Sequence, residues 1–260
     1  MGIAPSTLLA LVLSSFLIGV ILGFIGAGGA GVLLGLLSGV FNLPIGQAIG
    51  TALAAMCVVT VAGGVSHFRE GNVALRIGLI VGISGVAGAA AGATLSQGVS
   101  DEALQLGAGL ALWTLALLVW GRTRYAAKTS VTQTVEQNRT REAREAGASV
   151  ALGLSGGIAA GFFGVGMAPY LQLGFLSMHR LTLRQTIGTT MWALVFISAS
   201  ASLVLARHGD VSSPHLVGSV IGLSLGSYCG AKLTARAPLR ILRIAVVVVP
   251  IVAGAMVLFL

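Results

Sequence analysis

The stretch "GFIGAGGAG", residues Gly23 to Gly31, decides the fold of this chain. It follows an apolar run and contains Gly26-x-Gly28-x-x-Gly31, the spacing of a dinucleotide-binding loop. That loop needs a flanking β-α-β unit and an acidic residue about 20 positions further on. The first acidic residue after the cluster is Glu70, and the intervening sequence is apolar. We therefore reject a nucleotide site, and the glycines need another explanation.

The composition indicates a polytopic helical membrane protein. Of the 260 residues, 56% are hydrophobic and only 8% are charged, whereas a soluble domain carries about 25% charged residues. Residues 1–66 contain no Asp, Glu, Lys or Arg. This and several later uncharged runs reach the roughly 20 residues that a helix needs to cross a bilayer. The apolar N-terminus lacks the basic start of a signal peptide, so we expect it to be retained.

The sequence repeats itself at an offset of 138 residues. Residues 23–97 align with residues 161–235 without a gap, and 20 of the 75 aligned pairs are identical. "GFIGAGGA" falls on "GFFGVGMA", "QAIGT" on "QTIGT", and "REGNV" on "RHGDV". We therefore divide the chain into a first membrane repeat (residues 1–121), a basic linker (residues 122–147) and a second membrane repeat (residues 148–260).

Basic residues predict the orientation of the two repeats. Cytoplasmic loops carry an excess of Lys and Arg. Placing loops 67–76, 122–147, 177–184 and 232–243 inside accounts for 14 of the 15 basic residues. Matching loops then fall on opposite sides of the membrane, which predicts inverted repeats, a common construction in secondary transporters. This topology puts the linker in the cytoplasm and both termini outside.

The same topology predicts a hairpin around each glycine cluster. Residues 6–41 and residues 148–176 must each enter the membrane and return to the same side. The two arms in the second repeat, about 148–162 and 167–177, would measure only roughly 22 and 16 Å as helices. We predict an all-α fold in which each repeat is a glycine-broken re-entrant hairpin followed by three transmembrane helices. Two short spanning helices per hairpin fit the sequence as well.

The glycine turns are the candidate substrate-binding site. Unwound backbone exposes N–H groups, and the half-helix that follows points its positive dipole end at them. Such a turn binds an anion without a charged side chain. Repeated Gln and Thr residues on the next helix could add hydrogen bonds to the anion, or could bond to backbone or other helices. The candidate substrate-binding residues are Gly26, Gly28, Gly29, Gln47, Thr51, Gly164, Gly166, Met167, Gln185 and Thr189.

A different role is predicted for Gly88-x-x-x-Gly92 and its counterpart Gly226-x-x-x-Gly230. Small residues at this spacing let the backbones of two membrane helices approach closely. We interpret these four glycines as packing positions.

Few ionisable residues lie in the apolar segments, although such residues usually mark function in membrane proteins. Two clusters at helix ends could attract anions as a gate or vestibule, or could simply anchor the helices at the interface. The candidate gate residues are His67, Arg69, Arg207 and His208. Because histidine titrates near neutral pH, a proton-coupled role is compatible with both histidines.

The sequence contains no His-Glu-x-x-His, Cys-x-x-Cys or phosphate-binding lysine motif. We therefore expect neither an enzyme, nor a metal site, nor a cofactor. The net charge of +8 is attributed to cytoplasmic loops rather than to nucleic-acid binding. The expected partners are the lipid bilayer, a small anion and protons, and a homodimer is compatible with the sequence.

The ordered set of motifs resembles the TauE/SafE family of sulfite and organosulfonate exporters, also called the toluene-sulfonate uptake permease family. The resemblance rests on "GFIGAGGAG", "AIGTALA" and "HFREGNV" in the first repeat and on "GFFGVGMAP", "TIGTT" and "RHGDV" in the second. It covers almost the whole chain. The usual glycine triplet is reduced here by Ala30 in the first repeat and by Met167 and Ala168 in the second.

The resemblance implies a secondary transporter in the cytoplasmic membrane that exports sulfite, sulfoacetate or another organosulfonate by alternating access, with proton-linked exchange. An uptake permease, a passive anion channel and a non-transporting membrane scaffold are the alternatives that the sequence leaves open.

Overall fold

The computed structural model describes residues 5–25, 30–126, 139–165 and 167–259, which form helices and turns without any strand. A π-helical turn (Leu36–Val40) continues the second helix. The helices are α1 (Pro5–Ile25), α2 (Ala30–Gly35), α3 (Ile45–Arg69), α4 (Leu75–Ser96), α5 (Asp101–Ala126), α6 (Arg139–Phe163), α7 (Ala168–Ser177), α8 (Leu183–Arg207), α9 (Ser213–Arg236) and α10 (Leu239–Phe259). Within the described part of the chain, seven helices are long and apolar enough to cross a membrane. The predicted multi-pass helical membrane protein is confirmed.

The helix bounds follow the 138-residue offset seen in the sequence. Helices α3 and α8 are both 25 residues long, and they begin at positions 45 and 183, which differ by 138. The starts of α4 and α9, and of α5 and α10, differ by the same number. The second half of the chain therefore repeats the helix order of the first, although the two sequences differ at most positions.

An antiparallel pair, α3 and α8, connects the two halves. They cross where Cys57 Sγ lies 4.0 Å from the carbonyl oxygen of Val195, two positions related by the offset. At one end, a Cβ at Gly50 would collide with the carbonyl oxygen of Asp210; at the other, a Cβ at Gly188 would collide with that of Asn72. Glycine is needed at both places because loop backbone packs directly on the helix.

The other extensive helix–helix contacts also join a helix of one half to a helix of the other half. Helix α1 packs along α9, and α6 packs along α4. A Cβ at Gly226 would collide with the carbonyl oxygen of Phe16, and one at Gly88 would collide with that of Leu154. The second glycine of each pair meets a backbone carbonyl one turn further along the facing helix. The packing role predicted for these glycines is confirmed.

The first arm of the second hairpin is longer than the sequence predicted. Helix α6 begins at Arg139, inside the linker assigned to 122–147, rather than near 148. Its apolar part, Glu145–Phe163, has 19 residues and is long enough to cross a membrane. Helix α7 has only 10 residues, or about 15 Å, close to the prediction. The helix continues unbroken from polar into apolar sequence, so charge patterning marks the start of its apolar part and not the start of the helix. Residues 127–138 of the linker lie outside the described residues.

Replacing Gly226 with alanine is expected to lower the apparent unfolding temperature of the detergent-solubilised protein. The added carbon would meet the backbone of Phe16, and overpacking of this kind costs about 1–3 kcal/mol. Gly121→Ala in α5 is the matched control, because nothing lies within 4 Å of its added carbon. It should leave the unfolding temperature unchanged or raise it, since alanine favours a helix by about 1 kcal/mol over glycine. Equal destabilisation by the two variants would contradict the packing assignment.

Candidate functional site

The second glycine cluster forms a tight turn between α6 and α7. Gly164 has a φ of +69°, a conformation that glycine adopts without strain, and Met167 follows with a φ of +39°. The carbonyl of Met167 accepts hydrogen bonds from the N–H groups of Tyr170 and Leu171 in the first turn of α7, while Pro169 has no N–H to donate. Met167 is only 1% exposed. The turn therefore presents the buried N-terminus of a ten-residue helix, which is the dipole end that favours anions.

The arms of this hairpin are antiparallel and bonded to each other. Ser155 Oγ lies 2.8 Å from the hydroxyl oxygen of Tyr170. At the open end, Ser149 Oγ lies 3.2 Å from His179 Nε2. Burial lowers the pKa of His179 below its ordinary value of 6.5, and the charge of Glu145 opposes this effect. The chain thus returns beside the segment from which it entered, as predicted for this hairpin.

Four of the predicted binding residues, Gly26, Gly28, Gly29 and Gly166, lie outside the described residues. Helix α1 ends directly before the first three of them, and α2 begins directly after them. The binding role assigned to these glycines stays a prediction.

The two hairpins meet at the end of α1. Gln172 Nε2 on α7 donates a hydrogen bond to the carbonyl oxygen of Ile25, the last residue of α1, at 3.0 Å. Close by in the chain, a Cβ at Gly31 would lie 3.5 Å from a methyl group of Val165 in the other turn. Gln172 is 1% exposed, and sequence analysis missed it. The available signal was an amide side chain within an apolar helix. The residue that matches Gln172 at the 138-residue offset is Leu34.

His67, predicted as a gate residue, is buried at the same end of α1. Its side chain has no exposed surface, and Nε2 lies 3.2 Å from the carbonyl oxygen of Gly23. Because a carbonyl can only accept, Nε2 carries the hydrogen in this bond. The other ring nitrogen, Nδ1, is buried without a hydrogen-bond partner among the described residues. The remaining gate candidates, Arg69, Arg207 and His208, are exposed at the C-terminal ends of α3 and α8.

The two predicted threonines make matching hydrogen bonds. Thr51 Oγ1 accepts from the N–H of Ser212 at 2.9 Å, and Thr189 Oγ1 accepts from the N–H of Ala74 at 2.9 Å. Donors and acceptors are both related by the 138-residue offset, and both threonine side chains are fully buried. Backbone bonding, considered from the sequence as an alternative to substrate binding, is therefore present. A binding role for these threonines stays a prediction.

The structure does not bring the two threonines together. Thr189 follows Gly188, which packs beside His67, and His67 lies 16 residues along α3 from Thr51. At 1.5 Å per residue this separation is about 24 Å. One small anion cannot contact both threonines in this conformation.

The two predicted glutamines occupy the first turns of α3 and α8. Gln185 Oε1 accepts from the N–H of Thr182 at 3.2 Å, and the Gln185 N–H donates to Thr182 Oγ1 at 3.3 Å, which forms a capping box at the start of α8. Gln47 is exposed. Because α3 and α8 are antiparallel, these first turns lie at opposite ends of the pair.

Comparison with known proteins identifies the family. The model of the family described as sulfite exporter TauE/SafE matches residues 11–257. The chain belongs to the TauE/SafE family. It is 36% identical over 250 residues to the probable membrane transporter protein YdhB of Bacillus subtilis (strain 168), an alignment that covers 96% of this chain and 99% of YdhB. The family resemblance inferred from the motifs is confirmed.

The chain is also similar to a probable membrane transporter protein of Xylella fastidiosa (strain Temecula1). It is 28% identical over 229 residues, covering 85% of this chain and 84% of the relative. No solved structure matches the chain. These relatives establish a membrane transporter of the TauE/SafE family.

Thr189→Val is expected to lower the apparent unfolding temperature, because it leaves the N–H of Ala74 without its acceptor, a loss worth about 1–3 kcal/mol. Thr186→Val on the same helix is the matched control. The Thr186 hydroxyl is buried and has no partner among the described residues, so its removal should be neutral or stabilising. A thermal melt that shows the same loss for both variants would contradict the role assigned to Thr189.

Proposed function

We propose that this TauE/SafE transporter is a secondary carrier that moves a small sulfur-containing anion, such as sulfite, sulfoacetate or another organosulfonate, across the cytoplasmic membrane in the direction of export. Family membership supports the class of cargo. The junction of the two hairpins, where Gln172 on α7 bonds to the end of α1, is the single observation that carries the proposed site.

The anion is proposed to bind at the N-terminus of α7. Gly164 and Met167 shape this turn, and the positive dipole end at the buried start of the helix favours an oxyanion without any charged side chain. Neutral donors suit a carrier, because a site that holds its cargo by full opposite charges would release it slowly. The amides of Gly26, Gly28, Gly29 and Gly166 are proposed to complete the site.

Alternating access is proposed to come from two inverted halves that rock around this site. The antiparallel α3 and α8, the shared offset of the helix starts and the matching Thr51 and Thr189 bonds support a two-fold relation between the halves. With the basic loops in the cytoplasm, the linker is proposed to lie inside and both termini outside.

The test is counterflow in proteoliposomes with labelled sulfite and labelled sulfoacetate. A carrier is expected to give saturable flux that unlabelled anion on the opposite side stimulates. Flux without such stimulation would indicate a channel, and the absence of any saturable flux would indicate a scaffold. Either result would overturn the proposal, and a purely inward preference would overturn the proposed direction.

Gln172→Leu and Gln105→Leu form a matched pair for the proposed site. Both remove an amide that donates to a carbonyl between helices, at Ile25 and at Val257 respectively. Gln172→Leu should weaken anion binding at least about tenfold, equivalent to about 1.4 kcal/mol, because the end of α1 is no longer held beside α7. Gln105→Leu, which acts between α5 and α10, should leave binding unchanged. Equal effects in a thermal-shift titration would argue against the site.

A further inference from the structure

Three helix ends meet where the chain passes from α9 to α10. Ala237 follows the last residue of α9, and α10 begins at Leu239. Arg184, in the first turn of α8, donates a hydrogen bond from Nη2 to the carbonyl oxygen of Ala237 at 3.1 Å. The C-terminal end of α9 thereby holds the guanidinium in place, because the negative end of a helix dipole favours a cation. The other two helix ends are N-termini, which favour an anion.

Basic residues accumulate around this junction. Lys232 on α9 and Arg240 on α10 are both exposed, five residues before and three residues after Ala237. Their Cα atoms lie within about 11 Å of the Ala237 Cα, because a helix rises about 1.5 Å per residue and an extended chain at most about 3.6 Å. From residue 146 to residue 260 the sequence has a single acidic residue, Asp210, which follows the opposite end of α8. The charge of the junction therefore attracts anions.

The guanidinium of Arg184 has hydrogen bonds left to give. The side chain is half-buried, and its Nε–H has no acceptor among the described residues. On the neighbouring hairpin, the carboxylate of Glu145 acts electrostatically on His179. A buried donor without an acceptor is unfavourable, so an anion that accepts from this guanidinium would stabilise the junction.

The outer surface of α10 continues from this basic junction into apolar side chains. Arg240, Ile244 and Val248 are all exposed and recur every fourth residue, so they lie along one side of the helix. The first of them is a cation and the next two are hydrocarbon. This order matches a phospholipid, whose charged headgroup lies above its acyl chains.

The outer surface of α9 has the same order. The ammonium of Lys232 lies 4.6 Å from the centroid of the Tyr228 ring. Tyrosine is enriched where the hydrocarbon meets the headgroups. Leu225 and Ile221, which are exposed, continue the same side of α9 one and two turns away from Tyr228. The cation of α9 is therefore also expected at headgroup depth, above an apolar stripe.

We propose that the junction of α8, α9 and α10 binds the headgroup of an anionic phospholipid. The phosphodiester accepts hydrogen bonds from Arg184 and Arg240, the ammonium of Lys232 adds a third positive charge, and the acyl chains lie on the apolar stripes. The planar fork of arginine suits phosphate oxygens, and basic pockets between membrane helices bind such headgroups. The site is separate from the proposed cargo site at the start of α7, and the inference does not depend on the transported anion.

The apolar stripes favour a lipid over a free phosphate ion. Both ligands offer the same oxygens to the three cations, but only a lipid also covers the exposed side chains of α9 and α10. A headgroup without acyl chains, such as glycerol phosphate, should therefore bind much more weakly than the intact lipid.

The experiment is a thermal-shift titration of the full-length protein in dodecyl maltoside micelles. Phosphatidylglycerol is the anionic lipid, phosphatidylcholine is the lipid without net charge, and glycerol phosphate is the soluble headgroup. A ligand that binds the folded protein raises its apparent unfolding temperature. Phosphatidylglycerol should raise this temperature further than phosphatidylcholine at the same mole fraction, and glycerol phosphate at the same total concentration should leave it unchanged.

Three variants assign the effect to the junction. Arg184→Gln and Arg240→Gln should each weaken the apparent affinity for phosphatidylglycerol about fivefold, the loss expected for one basic residue near a membrane surface. Arg207→Gln is the matched control, because this arginine is exposed at the opposite end of the same helix. It should retain the wild-type affinity. Each variant is compared with its own lipid-free sample, so that a change in intrinsic stability is subtracted.

The remaining outcomes overturn the inference. Unchanged affinity for phosphatidylglycerol in Arg184→Gln and Arg240→Gln would show that the lipid does not use this junction. An equal loss in Arg207→Gln would indicate unspecific attraction by net charge. Equal stabilisation by glycerol phosphate would indicate a soluble anion in place of a lipid. If Arg184→Gln does not fold, because its bond to Ala237 is lost, the exposed Arg240 decides the question.

Discussion

The hydrogen bond from Gln172 to the carbonyl of Ile25 is the contact on which the arrangement of the two hairpins depends. A helix that ends inside an apolar environment leaves carbonyls that water cannot reach, and each one needs a donor from elsewhere in the protein. At the end of α1 one donor comes from the same half, His67, and the other from the opposite half, Gln172. Satisfying the backbone of one hairpin therefore fixes its position against the other. The same contact brings the negative end of α1 close to the positive end of α7. A position that favours a cation therefore lies near one that favours an anion.

Glycine serves two different physical purposes in this chain. At Gly88 and Gly226 it removes the side chain so that the backbones of crossing helices can touch, which joins each half to the other along a long seam. At Gly164 it provides a left-handed turn, and the chain reverses direction there without strain. The first use makes the contact between the halves tight, whereas the second turns the chain into the buried start of α7. A transporter needs both properties, because rigid parts must move around a site that can bind and release its cargo.

Much of the fold could be predicted from the sequence, because charge-free runs and a gapless offset are direct consequences of bilayer thickness and duplication. The packing glycines were predictable for the same reason, since their spacing is periodic. The start of α6 was not, because a helix that enters an apolar layer from a polar linker shows no break in its pattern. The candidate site was harder still. Thr51 and Thr189 looked like binding residues from their repetition, but each accepts a backbone hydrogen bond. Gln172 was missed because its matching position holds Leu34, so it is absent from a search for repeated motifs. The burial of His67 depends on which helices meet in space.

The most direct test of the central claim is a cryo-EM structure of the protein with a bound sulfonate. We predict sulfonate oxygens within hydrogen-bonding distance of backbone amides at the start of α7, around Met167, with Gln172 close by. Ligand density at the exposed ends of α3 or α8, beside Arg69 or Arg207, with the start of α7 unoccupied, would contradict it.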